Sequence, residues 1–335
     1  MMDLNKLFST ILLNKNVSDI YLFENSPPTI REFNEIIFLQ MPNLSTLDIK
    51  DIITTLLEKD PSKKESNEID QETKNFTFDF DANNRLRVHI YDNTNQNGVI
   101  IHILKLNTTL LNVPESFYKI IEKAIGLMLI AGPINSGKTT TALHILNQIQ
   151  NKNILIFNKK HELRVKSDKS LISYCNTASE IKKRSPDIIF FHDIDDDEGL
   201  VKTAINYLQD GFLVIASLSA SSLKNAVAKM VIHEDNALRV LSEHIIAVMF
   251  QILIKKKDCS GSLAVYDFFP LNNAIKNCII NTDIKQLPNL NINSTINDLV
   301  KKEILDYTAA DKALIKLGYG GLDSNVHHLK LDDAF

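Results

Sequence analysis

Leu127-Met128-Leu129-Ile130-Ala131, running into Gly132-Pro133-Ile134-Asn135-Ser136-Gly137-Lys138-Thr139, is the stretch that decides the fold. Five apolar residues in a row, too few for a helix of ordinary length, read as a strand buried on both faces. The next eight residues match the spacing of a phosphate-binding loop at its fixed positions, Gly132, Gly137, Lys138 and Thr139. Ala142, Leu143, Leu146 and Ile149 then fall on one side of a helix. A strand, a glycine-bent loop and a helix in that order are the context the motif requires. The competing reading, a glycine-rich turn with a chance Lys-Thr, lacks a reason for the flanking strand and helix.

The chemistry follows from charge. A polyphosphate packs several negative charges into a small volume, and backbone N–H groups can wrap it where side chains do not intrude. Gly132 and Gly137 allow that close approach, and the loop residues Pro133, Ile134, Asn135 and Ser136 carry the backbone around the anion. The helix starting near Lys138 adds the positive end of its dipole. Lys138 supplies a full charge to the β and γ phosphates. The Thr139 hydroxyl is placed to ligate Mg²⁺, and Thr140 to donate to a phosphate through its backbone or hydroxyl. ATP with Mg²⁺ is the expected ligand.

Further apolar runs lie at Ile154–Phe157, Ile188–Phe191 and Leu213–Ala216, mostly separated by helical patterns. Buried strands alternating with helices predict an α/β domain with a mainly parallel sheet. Ligands in such sheets bind beyond the C-terminal strand ends. Asp193 stands at that end of Ile188–Phe191, where it could hold Mg²⁺ or orient an attacking water. The following acids, Asp195, Asp196 and Asp197, read better as a helix cap.

Upstream the pattern differs. Phe76, Phe78 and Phe80 alternate with polar residues, Asp81-Ala82-Asn83-Asn84 supplies a turn, and Leu86, Val88 and Ile90 alternate again. Val99–Leu104 is a third strand. Residues 1–107 are therefore expected to form a small α+β domain with an antiparallel sheet, 108–114 a linker, and 115–335 the phosphate-binding domain with a helical C-terminal part. The polar residues 60–75 read as a surface helix or loop.

Composition excludes several functions. The chain has 335 residues, 44% apolar and 23% charged, with a net charge of −4, so no basic excess favours nucleic acid. Three widely spaced cysteines, Cys175, Cys259 and Cys278, fit free thiols better than a disulfide framework or a Cys-x-x-Cys metal site. The apolar run Ile245–Ile254, interrupted by Gln251, falls short of the ~20 residues that span a bilayer. A cytoplasmic protein is expected. His327-His328 and Gly318-Tyr319-Gly320-Gly321 read as tail, and Lys255-Lys256-Lys257 as a solvated turn that a lipid or a partner could also touch.

These residues carry a family resemblance. Val17-Ser18-Asp19-Ile20-Tyr21-Leu22, Pro27-Pro28-Thr29-Ile30-Arg31, Arg85-Leu86-Arg87-Val88-His89, the loop itself, Lys255-Lys256-Lys257-Asp258 and Ala274-Ile275-Lys276-Asn277-Cys278-Ile279 together resemble the type IV pilus retraction ATPases, the PilT type of the secretion ATPases. The resemblance implies a RecA-like C-terminal domain and a PAS-like N-terminal domain. It also implies a homo-oligomeric ring, a hexamer, acting on an inner-membrane pilus platform protein, and so peripheral at that membrane. ATP would lie between subunits, with Arg85 and Arg87 facing a neighbour's nucleotide. Alternation along the strand leaves a solvent-facing or salt-bridged role for these arginines equally open.

Departures accompany it. The family's acidic box aligns with Asn158-Lys159-Lys160-His161-Glu162, of which Glu162 alone is kept. Its Gly-Glu-x-Arg-Asp aligns with His192-Asp193-Ile194-Asp195-Asp196, so the catalytic glutamate becomes Asp193. Ser219 stands at the histidine of the family's Thr-Leu-His-Thr. Lys183 is the cation nearest to the arginines that precede Asp193 in the family, and His102 replaces another arginine. Nucleotide binding is expected to survive and hydrolysis to be slowed. An alternative is a regulatory or structural subunit, joining rings with an active paralogous ATPase.

Overall fold

The computed structural model describes residues 4–14, 16–59, 75–92, 97–105, 113–122, 125–157, 163, 165, 167–196, 198–231, 237–280, 287 and 291–322. Glu162, most of the linker 108–114, residues 60–74 and His327-His328 lie outside them. The chain divides into two compact units, Met1–Thr109 with Lys160–Arg164 and Leu110–Lys159 with Val165–Phe335.

In chain order the first unit contains α1 (Leu4–Leu13), β1 (Val17–Phe23), β2 (Thr29–Glu32), β3 (Glu35–Phe38), α2 (Thr46–Leu57), β4 (Asn75–Asp79), β5 (Asn84–Asp92) and β6 (Asn97–Lys105). The sheet order is β3-β2-β1-β6-β5-β4, antiparallel throughout. Ser45 starts α2 with a capping box, its hydroxyl accepting from Asp48 N–H while the Asp48 carboxylate accepts from Ser45 N–H. Leu7 and Phe8 of α1 and Ile49, Ile52 and Leu56 of α2 share one apolar core with Ile20, Leu22, Leu86, Val88, Val99 and Ile101.

Period-two alternation puts the charged residues on the other face. Register aligns Arg31, Asp19, His102, Arg87 and Thr77 in a row across five strands. The Asp19 carboxylate, only 3% exposed, pairs with His102 Nδ1 and lies 3.1 Å from Arg31 Nε, while Ser18 Oγ donates to it at 2.7 Å. Burial alone would raise its pKa. The hydrogen bonds from His102 and Ser18 and the charges of His102 and Arg31 outweigh burial and lower it. Asp19→Asn is expected to cost about 2 kcal/mol at neutral pH, the scale of hydrogen bonds to a charged group. Because the folded pKa is depressed, this contribution is complete above the unfolded value of ~3.9 and vanishes as pH falls through the folded value. Urea titrations of both proteins should therefore differ at pH 7 and still at about pH 4, and converge only once the pH falls below the depressed folded value.

The second unit contains α3 (Glu115–Ile121), β7 (Gly126–Gly132), α4 (Lys138–Gln148), β8 (Asn153–Phe157), β9 (Leu171–Cys175), α5 (Ser179–Lys183), β10 (Ile188–Phe191), α6 (Glu198–Gln209), β11 (Leu213–Ser219), α7 (Leu223–Val231), α8 (Ala237–His244), β12 (Ile245–Lys255), β13 (Ser262–Pro270), α9 (Asn273–Ile280), α10 (Ile292–Lys301) and α11 (Tyr307–Lys316). The sheet order is β13-β12-β7-β11-β10-β8-β9, and every pairing is parallel except β12 with β13. Every residue of β7 and β10 is buried, as their unbroken apolar runs require. Phe157 and Phe191 stack at 5.4 Å within a core that also takes Leu129, Leu155, Val214 and Phe250. Each such side chain contributes about 1.5–3 kcal/mol of burial. The apolar run at Ile245 is part of the eleven-residue strand β12. Among the described residues no helix is long and apolar enough to cross a membrane.

The α/β class and mainly parallel sheet expected from the apolar runs are present. The expected cap at Asp195 is not. Ile194–Asp196 form a 3-10 turn, and the Asp195 carboxylate accepts from Ser219 N–H at 3.1 Å and pairs with Lys229 Nζ at 2.7 Å. A charged ammonium and a strand-end N–H offer a carboxylate more than the free amides of α6.

Candidate functional site

The site is built where parallel strands end. β7 runs into the loop 133–137 and α4, β10 ends two residues before Asp193, and β11 lies between β7 and β10. The loop turns through left-handed backbone at Asn135 (φ 62°) and Gly137 (φ 82°). Gly137 is a glycine for that reason and because a Cβ would stand 3.1 Å from Leu253 Cδ1. At Gly132 the reason is space: a Cβ would meet the Gln251 carbonyl oxygen at 2.2 Å and Ser136 Oγ at 2.6 Å. Gly132→Ala must push two paired strands apart. It is expected to destabilise the protein by about 3 kcal/mol, the upper range for overpacking, read as a shift of the denaturation midpoint.

Lys138 is buried at 7% exposure, and its Nζ donates to the carbonyl oxygens of Gly132 at 3.2 Å and Pro133 at 3.0 Å. The ammonium thus lies over the mouth of the loop. Ile134 stands at the loop tip, 78% exposed. Below, Gln251 Nε2 donates to Ser136 O at 2.6 Å, tying β12 to the loop. Thr139 and Thr140 open α4, both half-buried.

Facing them is the end of β10. His192 Nε2 and the Thr139 hydroxyl share a hydrogen bond at 2.9 Å. Asp193 Oδ2 lies 3.4 Å from the same nitrogen. Asp193 holds φ at 42°, unusual for a side-chain-bearing residue, and its N–H donates to Ser217 Oγ at 2.8 Å. Ser217 is fully buried on β11, and its Oγ also reaches Asp193 Oδ1 at 3.4 Å. The loop residues, Lys138, Thr139 and Asp193 therefore all stand beyond the C-terminal ends of β7 and β10. Arg85 and Arg87 belong to the first unit. Arg85 is 4% exposed with Nη1 3.0 Å from Asp79 Oδ1, a salt-bridged role within its own hairpin. Arg87 aligns with Thr77 and His102 in the polar row.

The cradle fits a triphosphate with its cation. The glycines let the loop pack closely on β12, Lys138 holds its ammonium against the loop carbonyls, and the Thr139 hydroxyl and the Asp193 carboxylate both lie beside His192 Nε2. Sequence reasoning did not single out His192, Ser217 or Gln251. Gln251 left one trace, as the polar break in an apolar run.

The sequence profile described as "Type II/IV secretion system protein" matches residues 87–279, more than half of the chain. The chain belongs to this family. Similar members include a protein described as "Twitching motility protein" from Neisseria gonorrhoeae, 28% identical over 78% of this chain and 74% of its own length. Another is the type IV pilus retraction ATPase PilT of Pseudomonas aeruginosa, 25% identical over 85% of this chain and 88% of its own. Among solved structures, the pilus retraction motor PilT with bound ADP superposes with a TM-score of 0.67 at 23% identity, covering 93% of this chain and 97% of that one. The Legionella pneumophila ATPase DotB gives 0.62 at 17% identity, covering 98% and 96%. Both show that this chain has the fold of the secretion ATPases of its family.

Proposed function

We propose that this chain binds ATP with Mg²⁺ in the loop Gly132–Thr139 and works as a motor ATPase subunit of the pilus-retraction kind. The observation that carries the reading is the placement of Lys138, Thr139 and Asp193 at the C-terminal ends of the parallel strands, with Thr139 and Asp193 both beside His192 Nε2, in a family whose relatives include a retraction ATPase. The loop amides and Lys138 would hold the β and γ phosphates, Thr140 adding a donor. Thr139 and Asp193 would hold the cation, which supplies charge neutralisation as the phosphoryl group departs. Asp193, beside His192 Nε2 and so close to Thr139, would orient water there. By the resemblance, Glu162, kept from the family's acidic box, would act beside Asp193 as a second catalytic carboxylate. A homo-oligomeric ring, a hexamer, with Arg85 and Arg87 serving the neighbouring nucleotide, would act on an inner-membrane platform protein from the cytoplasmic side. For Arg85 that role requires giving up Asp79.

A second reading is favoured by Asp193 itself. Its carboxylate is one methylene shorter than the family's glutamate and is engaged by Ser217, so the chain could bind nucleotide with little turnover. It would then act as a regulatory or structural subunit beside an active paralogue. Phosphate release by the full chain with Mg-ATP, beside a fluorescent-ATP titration, separates the two. Turnover clearly above a Lys138→Ala background supports the motor, whereas tight binding without turnover supports the second reading. Absence of binding removes both.

A further inference from the structure

His192 stands where the resemblance places a glycine, and glycine offers no side chain. In this chain the position carries an imidazole, 8% exposed, whose Nε2 lies 2.9 Å from the Thr139 hydroxyl and 3.4 Å from Asp193 Oδ2. Adjacent ligands on an octahedral cation with bonds of ~2.1 Å are about 3 Å apart. The nitrogen thus already stands from each of the two oxygens at about the spacing of neighbouring positions around one metal ion. Mg²⁺ takes oxygen ligands almost exclusively, whereas an imidazole nitrogen suits first-row transition metals.

We propose that His192 is a nitrogen ligand to the divalent cation entering with the nucleotide, making this site favour Mn²⁺ over Mg²⁺. The inference rests on the nucleotide-binding reading. Among the described residues no group of three histidine, cysteine or acidic side chains could hold a metal by itself. The protein contributes two such residues and one hydroxyl, and the phosphates complete the set. The metal therefore binds with the nucleotide and not before it.

The test uses the full chain with Mn²⁺ and a non-hydrolysable ATP analogue. Pulsed electron paramagnetic resonance of the bound Mn²⁺ is expected to show coupling to a histidine nitrogen. That coupling changes when the protein is grown with ¹⁵N-histidine, which separates it from adenine nitrogens without any mutation. In His192→Gly the coupling disappears, and the ratio of Mn²⁺ to Mg²⁺ affinity, measured by competition, falls about tenfold or more. Bound Mn²⁺-nucleotide without histidine coupling, or an unchanged ratio in the variant, overturns the inference and leaves nucleotide binding standing. Failure of the analogue to bind with either metal overturns both.

Discussion

Lys138→Ala is expected to weaken ATP binding about 10- to 100-fold and to lower any turnover about 100-fold or more. One charge-assisted hydrogen bond is worth about 1.5–3 kcal/mol, and each 1.4 kcal/mol is a factor of ten in affinity. The additional loss in rate follows because charge on the γ phosphate oxygens is best neutralised as the bond breaks. A fluorescent-ATP titration with phosphate-release kinetics measures both. The variant also loses the contacts from Nζ to Gly132 O and Pro133 O within the loop, so thermal denaturation should accompany the assay. Unaltered affinity in a folded variant would remove the cradle from the account.

Asp193→Glu is expected to raise turnover, by up to about 100-fold, if the shorter carboxylate holds water badly. A misplacement of about 1 Å at a reacting group has that scale. The same change should cost some stability, because aspartate tolerates the left-handed backbone at φ 42° better than glutamate. A faster and slightly less stable enzyme is therefore the expected pair of results, read from phosphate release and the melting curve. A fall in rate would mean that Ser217 already holds the Asp193 carboxylate in working position, and would favour the motor with aspartate as its own solution.

Much of this fold could be read from residue order. The runs at Leu127, Ile154, Ile188 and Leu213 became β7, β8, β10 and β11 because a parallel strand buried on both faces is mostly apolar along its length. β9 was missed. Leu171–Cys175 is an edge strand with Leu171 67% exposed, so neither a continuous run nor a clean alternation marks it. The run at Ile245 is too short for a bilayer span and suits a long strand, which β12 is. At the site, the loop was legible because its chemistry dictates spacing along the chain. The contact of Thr139 with His192 spans 53 positions, and no local pattern connects residues brought together by β7, β11 and β10. The Asp195 cap failed likewise, since its true partners, Ser219 and Lys229, arrive from β11 and α7.

The amide of Gln251 adds a side-chain tie between the anion-binding loop and β12, beyond the pairing of β12 with β7. Its Nε2 grips Ser136 O, while its own backbone sits in register with Tyr266 on β13. Such a strut transmits tension both ways, from the anion-binding arch to the outer antiparallel ribbon. Filling the arch should slow amide hydrogen exchange along that ribbon, and cutting the strut with Gln251→Leu should uncouple the two, leaving the outer strands deaf to what the loop holds.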